Sequence, residues 1–106
     1  MKPEIGKNSI GESLPILTPK TASAFLVDGS IAHAESARLP VGNYRIAVRL
    51  STDNLGVMMK VYKDTVDTAT TSTGMFLPHN AIEVFALEEG SVISVIDGVI
   101  NVTPLM

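Results

Sequence analysis

The sequence predicts an all-β fold: one β-sandwich or jelly-roll-like domain of about seven or eight short antiparallel strands, with an extended N-terminal arm. Three observations carry this. Apolar and polar residues alternate with period two in several stretches, most clearly in GNYRIAVRLS (42–51). Turn-forming clusters recur at roughly eight- to twelve-residue intervals, as in small all-β domains. No stretch carries the apolar stripe of an amphipathic helix; the Ala-rich segments TASAFLV and SIAHAESARL come nearest, at the level of a helical turn.

The 106 residues are enough for one domain with a single core. Residues 1–20 form the expected arm and residues 21–106 the domain. The arm holds Pro3, Pro15, Pro19, Gly6 and Gly11, and no regular periodicity survives such spacing. Its apolar residues Ile5, Ile10, Leu14, Ile16 and Leu17 fall at irregular steps between these breakers. A plain linker would favour Gly, Ser and charge, so the arm reads as a segment that lies along another surface. The alternative is an irregular first strand over its own domain.

Within the domain, ASAFLVDGSIAHA reads as two runs about Asp28-Gly29, a dipeptide suited to a tight hairpin turn. In GNYRIAVRLS, Tyr44, Ile46, Val48 and Leu50 are expected on one face, with Arg45, Ala47 and Arg49 on the other. STDNLG is a turn, and VMMKVYK a strand with Val57, Met59 and Val61 inward. The Thr-rich VDTATTSTG suggests a strand near an edge. AIEVFAL is another strand, ended by EEG. SVISVIDGVINVT reads as a final hairpin about Asp97-Gly98, with Ile93 and Val95 on one face and Val92 and Ile96 on the other. Between Val99 and Met106 no side chain is charged, so this stretch is expected to be held rather than loose. A sandwich covers one face of each sheet, so apolar residues on both faces of this hairpin point to a second subunit or to the arm lying across it.

Composition restricts the function. The core must be aliphatic, because aromatic residues are only 5% and tryptophan is absent. The net charge of −3 argues against nucleic acid as a partner, since phosphate binding needs clustered Lys and Arg. Without cysteine there is no disulfide or thiolate metal site. The first residues lack the apolar run of a signal peptide, and no run of 18 apolar residues suggests a membrane span. The expectation is a soluble protein made in the cytoplasm.

Catalytic patterns are weak. His33 and Glu35 share a strand face and His79 lies in LPHNAIE, but two scattered histidines read as surface side chains rather than a metal set. Serines and threonines lack a base at motif spacing, and Glu88-Glu89 would point to opposite faces of a strand. The glycines form no phosphate loop. We therefore expect no enzyme, no catalytic residue, no metal and no cofactor. Arg45 and Arg49 are of more interest, being four residues apart on the polar face of one strand. Residues 21–106 carry five basic against nine acidic side chains, net −4; the arm carries three against two. These arginines read either as solvated charges pairing with Glu83 or Asp64, or as a docking stripe for an acidic neighbour.

Roughly the last forty residues, TATTSTGMFLPHNAIEVFALEEGSVISVIDGVINVTPLM, carry a pattern of residue types: a Met/Leu-Pro segment (Met75, Phe76, Leu77, Pro78), an aliphatic-aromatic strand (Ile82 to Leu87), an acidic-Gly turn and a closing aliphatic run. In this the chain resembles small virion structural proteins of tailed bacteriophages. The resemblance implies a non-enzymatic β-sandwich or jelly roll located in the virion, its partner the major capsid protein or another virion protein. A capsid decoration or cement protein, acting as a homo-oligomer and most simply a trimer, is the leading expectation. A tail or head-tail adaptor or fibre-base subunit is the alternative, and a carbohydrate-binding β-module or a cupin-like enzyme the more distant ones. Sugar sites stack on exposed rings, and only Tyr44 and Tyr62 are offered here. The expected interface residues are Ile5, Ile10, Leu14, Ile16, Leu17, Arg45, Arg49, Val92, Ile96 and Leu105.

Overall fold

A computed structural model describes residues 19–105. Its eight strands are β1 (Phe25–Asp28), β2 (Ala34–Glu35), β3 (Gly42–Ser51), β4 (Gly56–Tyr62), β5 (Met75–Pro78), β6 (Ile82–Leu87), β7 (Val92–Ile96) and β8 (Gly98–Leu105). They form two antiparallel four-stranded sheets, ordered β1-β8-β3-β6 and β2-β7-β4-β5. This is a β-sandwich with the strand order of a jelly roll. The first strand pairs with the eighth, the second with the seventh, the third with the sixth and the fourth with the fifth. The chain is thus one long double ribbon, rolled so that β8 also meets β3 and β7 also meets β4.

Rolling a ribbon requires corners, and each corner is fixed by bonds between its two strands. At the first, where β1 crosses to β2 and β7 to β8, Gly29 N–H donates to the Gly98 carbonyl at 2.8 Å and Asp97 N–H to the Gly29 carbonyl at 3.1 Å. At the second, Leu39 N–H donates to Ser91 and Gly90 N–H to Leu39, both at 2.8 Å. Arg38 Nη1 adds bonds to the carbonyls of Gly90 and Lys63. At the third, His79 N–H donates to the Leu55 carbonyl at 2.9 Å, and the Ser51 hydroxyl meets His79 Nδ1 at 2.8 Å.

The core lies between the sheets. Val27, Tyr44, Ile46, Val48, Ile100 and Val102 face Val57, Met59, Leu77, Ile93 and Val95, all buried. Burying each such side chain contributes about 1.5–3 kcal/mol. The chain therefore forms a tight aliphatic core, and Tyr44 enters it by donating its hydroxyl hydrogen to the Pro40 carbonyl.

Four local expectations are corrected. Neither Asp-Gly pair is a hairpin turn, because β1 and β2 lie in different sheets, as do β7 and β8. Leu50 does not face inward: the β3–β8 register shifts between Val48 and Leu50. The extra residue, Arg49, turns Leu50 outward (49% exposed) and Ser51 inward. The Thr-rich segment is a loop rather than a strand. Thr70 and Thr73 exchange both backbone bonds, and the Thr70 hydroxyl accepts the Thr73 amide and bonds its hydroxyl, so local side-chain bonding replaces a sheet ladder. The outer face of β7 is covered by its own chain. Ala69 N–H, in the loop 63–74, donates to the fully buried Ser94 Oγ at 2.9 Å. Lys60 on the same face reaches Asp67 of that loop at 2.8 Å, and Tyr62 crosses over β7 to bond Glu35. The second apolar face of β7 therefore needs no other subunit.

The Ala-rich segments form no α-helix: Thr21–Ser23 is a single 3-10 turn. The uncharged stretch from Val99 is held as β8, an interior strand of its sheet, with Lys20 N–H donating to the Pro104 carbonyl at 2.7 Å.

Candidate interaction surface

The outer face of the sheet β1-β8-β3-β6 is built by strand register. Reading across, Asp28, Val99 and Leu50 form one row and Leu26, Asn101, Ala47 and Ile82 the next. Thr103, Arg45 and Val84 form a third row, and Leu105, Asn43 and Ala86 a fourth. Large apolar side chains stand in water here: Leu26 at 46%, Leu50 at 49%, Ile82 at 55% and Val84 at 53% exposure. Exposed aliphatics grouped on one sheet face are the kind of surface that marks an interaction site.

The charges on this face are Arg45, Arg49 and Asp28, so it is net positive on a domain that is net negative. Leu26, Asp28, Arg49, Leu50 and Val99 enclose a shallow hollow of about 380 Å³. Asp28 is held as an anion: the Ser30 hydroxyl donates to its Oδ1 at 2.6 Å and the Ser30 amide at 3.0 Å, which lowers its pKa. Among the described residues neither arginine makes an ion pair with Glu83 or Asp64. Arg45 sits instead between Thr103 and Val84.

The expected interface residues separate accordingly. Ile5, Ile10, Leu14, Ile16 and Leu17 lie outside the described residues. Arg45 and Arg49 share the outer face of β3, Arg49 by way of the bulge rather than simple alternation. Val92 is 4% exposed and Ile96 half-buried beside Met58. Leu105 pairs with Asn43 and bridges to Pro19 at the end of β8. There it helps line a second hollow of about 280 Å³ with Phe25, Leu39, Val41, Tyr44 and Pro104. Leu26, Leu50, Ile82 and Val84 were not expected at a site. Alternation places Leu50 in the core, and the position of Leu26, Ile82 and Val84 depends on cross-strand register.

Two groupings of polar side chains invite chemistry. Ser51 and His79 are at bonding distance, but Ser51 is 2% exposed and has no open path to a substrate. A nucleophile needs access as well as a base, so the pair acts as a corner pin. His33 Nε2 lies 3.7 Å from Glu35 Oε2, and Glu35 also accepts from the Tyr62 hydroxyl at 3.2 Å. Because His79 is engaged with Ser51, it does not join them. Among the described residues no group of three His, Asp or Glu side chains is placed to hold a metal ion, and no helix is long and apolar enough to cross a membrane.

The chain matches no family model, no curated protein and no solved structure.

Proposed function

We propose that this chain is a non-enzymatic structural protein of a tailed-bacteriophage virion, a decoration protein that binds the assembled head. The observation that carries the reading is the outer face of β1-β8-β3-β6, where Leu26, Leu50, Ile82 and Val84 stand exposed around Arg45 and Arg49. An apolar face with a positive centre suits a flat, acidic protein surface better than a small ligand. The resemblance of roughly the last forty residues to small phage virion proteins supports the same reading, and the jelly-roll strand order is one such proteins use.

Mechanistically, a decoration protein stabilises a shell by mass action. It binds the lattice formed by neighbouring capsid subunits and not the separate subunit, so every bound copy favours the assembled state. Aliphatic contacts supply burial, and the two arginines set orientation against a negative surface.

Co-sedimentation of the purified protein with assembled heads, and separately with unassembled capsid subunits, tests this. Binding to heads alone is expected, weakened at least about tenfold by the pair Arg45→Glu and Arg49→Glu. Absence of head binding, or equal binding by the charge-reversed pair, overturns the reading. In purified particles, hundreds of copies place the protein on the shell, whereas six or twelve move it to the tail.

A further inference from the structure

We infer that β6 is a self-pairing edge, and that two copies of this chain join through it into one continuous sheet around a two-fold axis. Among the described residues each sheet has two free edges. Three are poor templates: β2 has two residues, β1 has four, and β5 has four and ends in Pro78. The fourth, β6, runs for six residues as IEVFAL, without proline, lysine or bulge. Proline, lysine and bulges are devices by which edge strands avoid pairing, and of the remaining ones β6 carries a single charge, Glu83, on the face it shares with Phe85 and Leu87.

The ladder phase shows which backbone groups are free. Val48 N–H donates to the Ala81 carbonyl at 2.9 Å, and the register runs from Ala47–Ile82 to Gly42–Leu87. In an antiparallel pair, residues directing both backbone groups at the neighbour alternate with residues directing both away. Glu83, Phe85 and Leu87 therefore bond to β3, while Ile82, Val84 and Ala86 point N–H and C=O away from the sheet. Among the described residues nothing bonds to that side.

A second copy fits this edge on three counts. A two-fold axis perpendicular to the sheet, passing at Val84, sets Val84 against the partner's Val84 and Ile82 against the partner's Ala86. All three outward-directed residues then fall in bonded pairs, giving about six backbone hydrogen bonds. The side chains of these pairs share the outer face and are all aliphatic, a favourable cross-strand ladder. Glu83, the one charge on β6, falls opposite the partner's Phe85, so no like charges meet. At the same end of the other sheet, Met75 and Phe76 on β5 are 43% and 51% exposed and add apolar area.

The edge is about 20 Å long at roughly 3.4 Å per residue. That is small beside a standard interface of about 1,600 Å², so the dimer is expected to dissociate on dilution. Pairing would also join the two outer faces, placing two Arg45/Arg49 groups on one eight-stranded surface and strengthening attachment to a repeating lattice. The dimer does not depend on the virion reading, because head binding and self-association are separate measurements.

The test is sedimentation of the full chain over a concentration series, with amide hydrogen exchange at each concentration. The mass should rise from one chain towards two. Exchange at Ile82, Val84 and Ala86 should slow with concentration, while Glu83, Phe85 and Leu87 stay protected throughout. Val84→Lys puts two ammonium groups at the axis and should weaken the dimer at least about tenfold. Val84→Pro removes an N–H that β3 does not use and should do the same. A single-chain mass at every concentration, a trimer, or association that Val84→Lys leaves intact would overturn the inference.

Discussion

Gly29 donates its amide hydrogen to the carbonyl of Gly98 across 2.8 Å, joining the two Asp-Gly pairs of the sequence at one corner of the roll. Both glycines are required by space rather than by backbone conformation. A Cβ on Gly29 would sit 2.4 Å from the Val95 carbonyl oxygen, and one on Gly98 would sit 2.1 Å from the Leu50 oxygen and 2.5 Å from Val57 Cγ1. The unusual backbone belongs to Asp97, at φ +72, a region Asp tolerates. Its carbonyl accepts both the Thr52 amide and the Thr52 hydroxyl, tying the β3–β4 turn to this corner.

Gly29→Ala and Gly98→Ala should each destabilise the fold by about 2–4 kcal/mol, since the atoms they would meet are backbone or buried core and cannot yield cheaply. Gly90→Ala is the contrast for space: φ is +84 there and nothing lies within 4 Å of the added atom, so only the left-handed conformation opposes it, at about 1–2 kcal/mol. Urea unfolding of the three variants ranks them.

The strands were legible because alternation is local. Ile46 and Val48, Val57 and Met59, and Ile93 and Val95 all fall inside as period two requires. Their partners were not legible. A two-residue Asp-Gly link serves equally for a hairpin and for a crossing between sheets, and what decides is a strand far along the chain. Gly29 is a glycine because of Val95, and Gly98 because of Leu50 and Val57. The bulge at Arg49 lies where β8 meets the end of β3, and it reverses the side of Leu50 that alternation predicts. The candidate surface was half legible for this reason: Arg45 and Arg49 could be read from spacing, whereas the exposed aliphatic side chains around them come from three strands, β1, β3 and β6, brought together by register.

The bulge gives a prediction at Leu50. On uninterrupted alternation Leu50 would be core, and replacing it with Asp would be severe. With Leu50 turned outward, Leu50→Asp should change stability by no more than about 0.5 kcal/mol. Ile46→Ala, on the same strand and 1% exposed, should cost about 2–5 kcal/mol. Thermal unfolding of both variants checks the difference, and equal losses would place Leu50 in the core.

The loop over β7 depends on one buried bond. Ser94 is fully buried on the outer side of its sheet, and its hydroxyl accepts the amide of Ala69, itself 2% exposed. Ser94→Ala leaves that amide without its partner in a dry setting, at a cost of about 1–3 kcal/mol. The loop should loosen before the sandwich does. Faster amide exchange at Ala69 and in the loop 63–74, with β3 and β8 unchanged, is the expected pattern. Uniform acceleration across all strands would mean that the loop is not a separate unit.

The dependence of stability on pH has two limbs with different causes. Burial raises the pKa of Tyr44, with the nearby Glu89 carboxylate adding to it. The folded value thus lies above the unfolded value near 10, so this contribution is complete below pH of about 10 and is lost as pH rises through the folded value. Asp28 and Asp53 are lowered instead, Asp28 by the Ser30 hydroxyl and amide and Asp53 first by the Leu55 amide. Their contribution is complete above the unfolded value near 4 and is lost as pH falls through their folded values. These groups should therefore lower stability at both the acid and the alkaline end. Tyr44→Phe should flatten part of the alkaline fall and leave the acid one, because Tyr62 is raised as well by desolvation and the Glu35 carboxylate, at a cost of about 0.5–1.5 kcal/mol at neutral pH for the lost bond to Pro40. Ser30→Ala should flatten part of the acid fall alone. Urea midpoints measured from pH 3 to 11 separate the two limbs, and an alkaline fall that Tyr44→Phe leaves unchanged would assign that limb to another group.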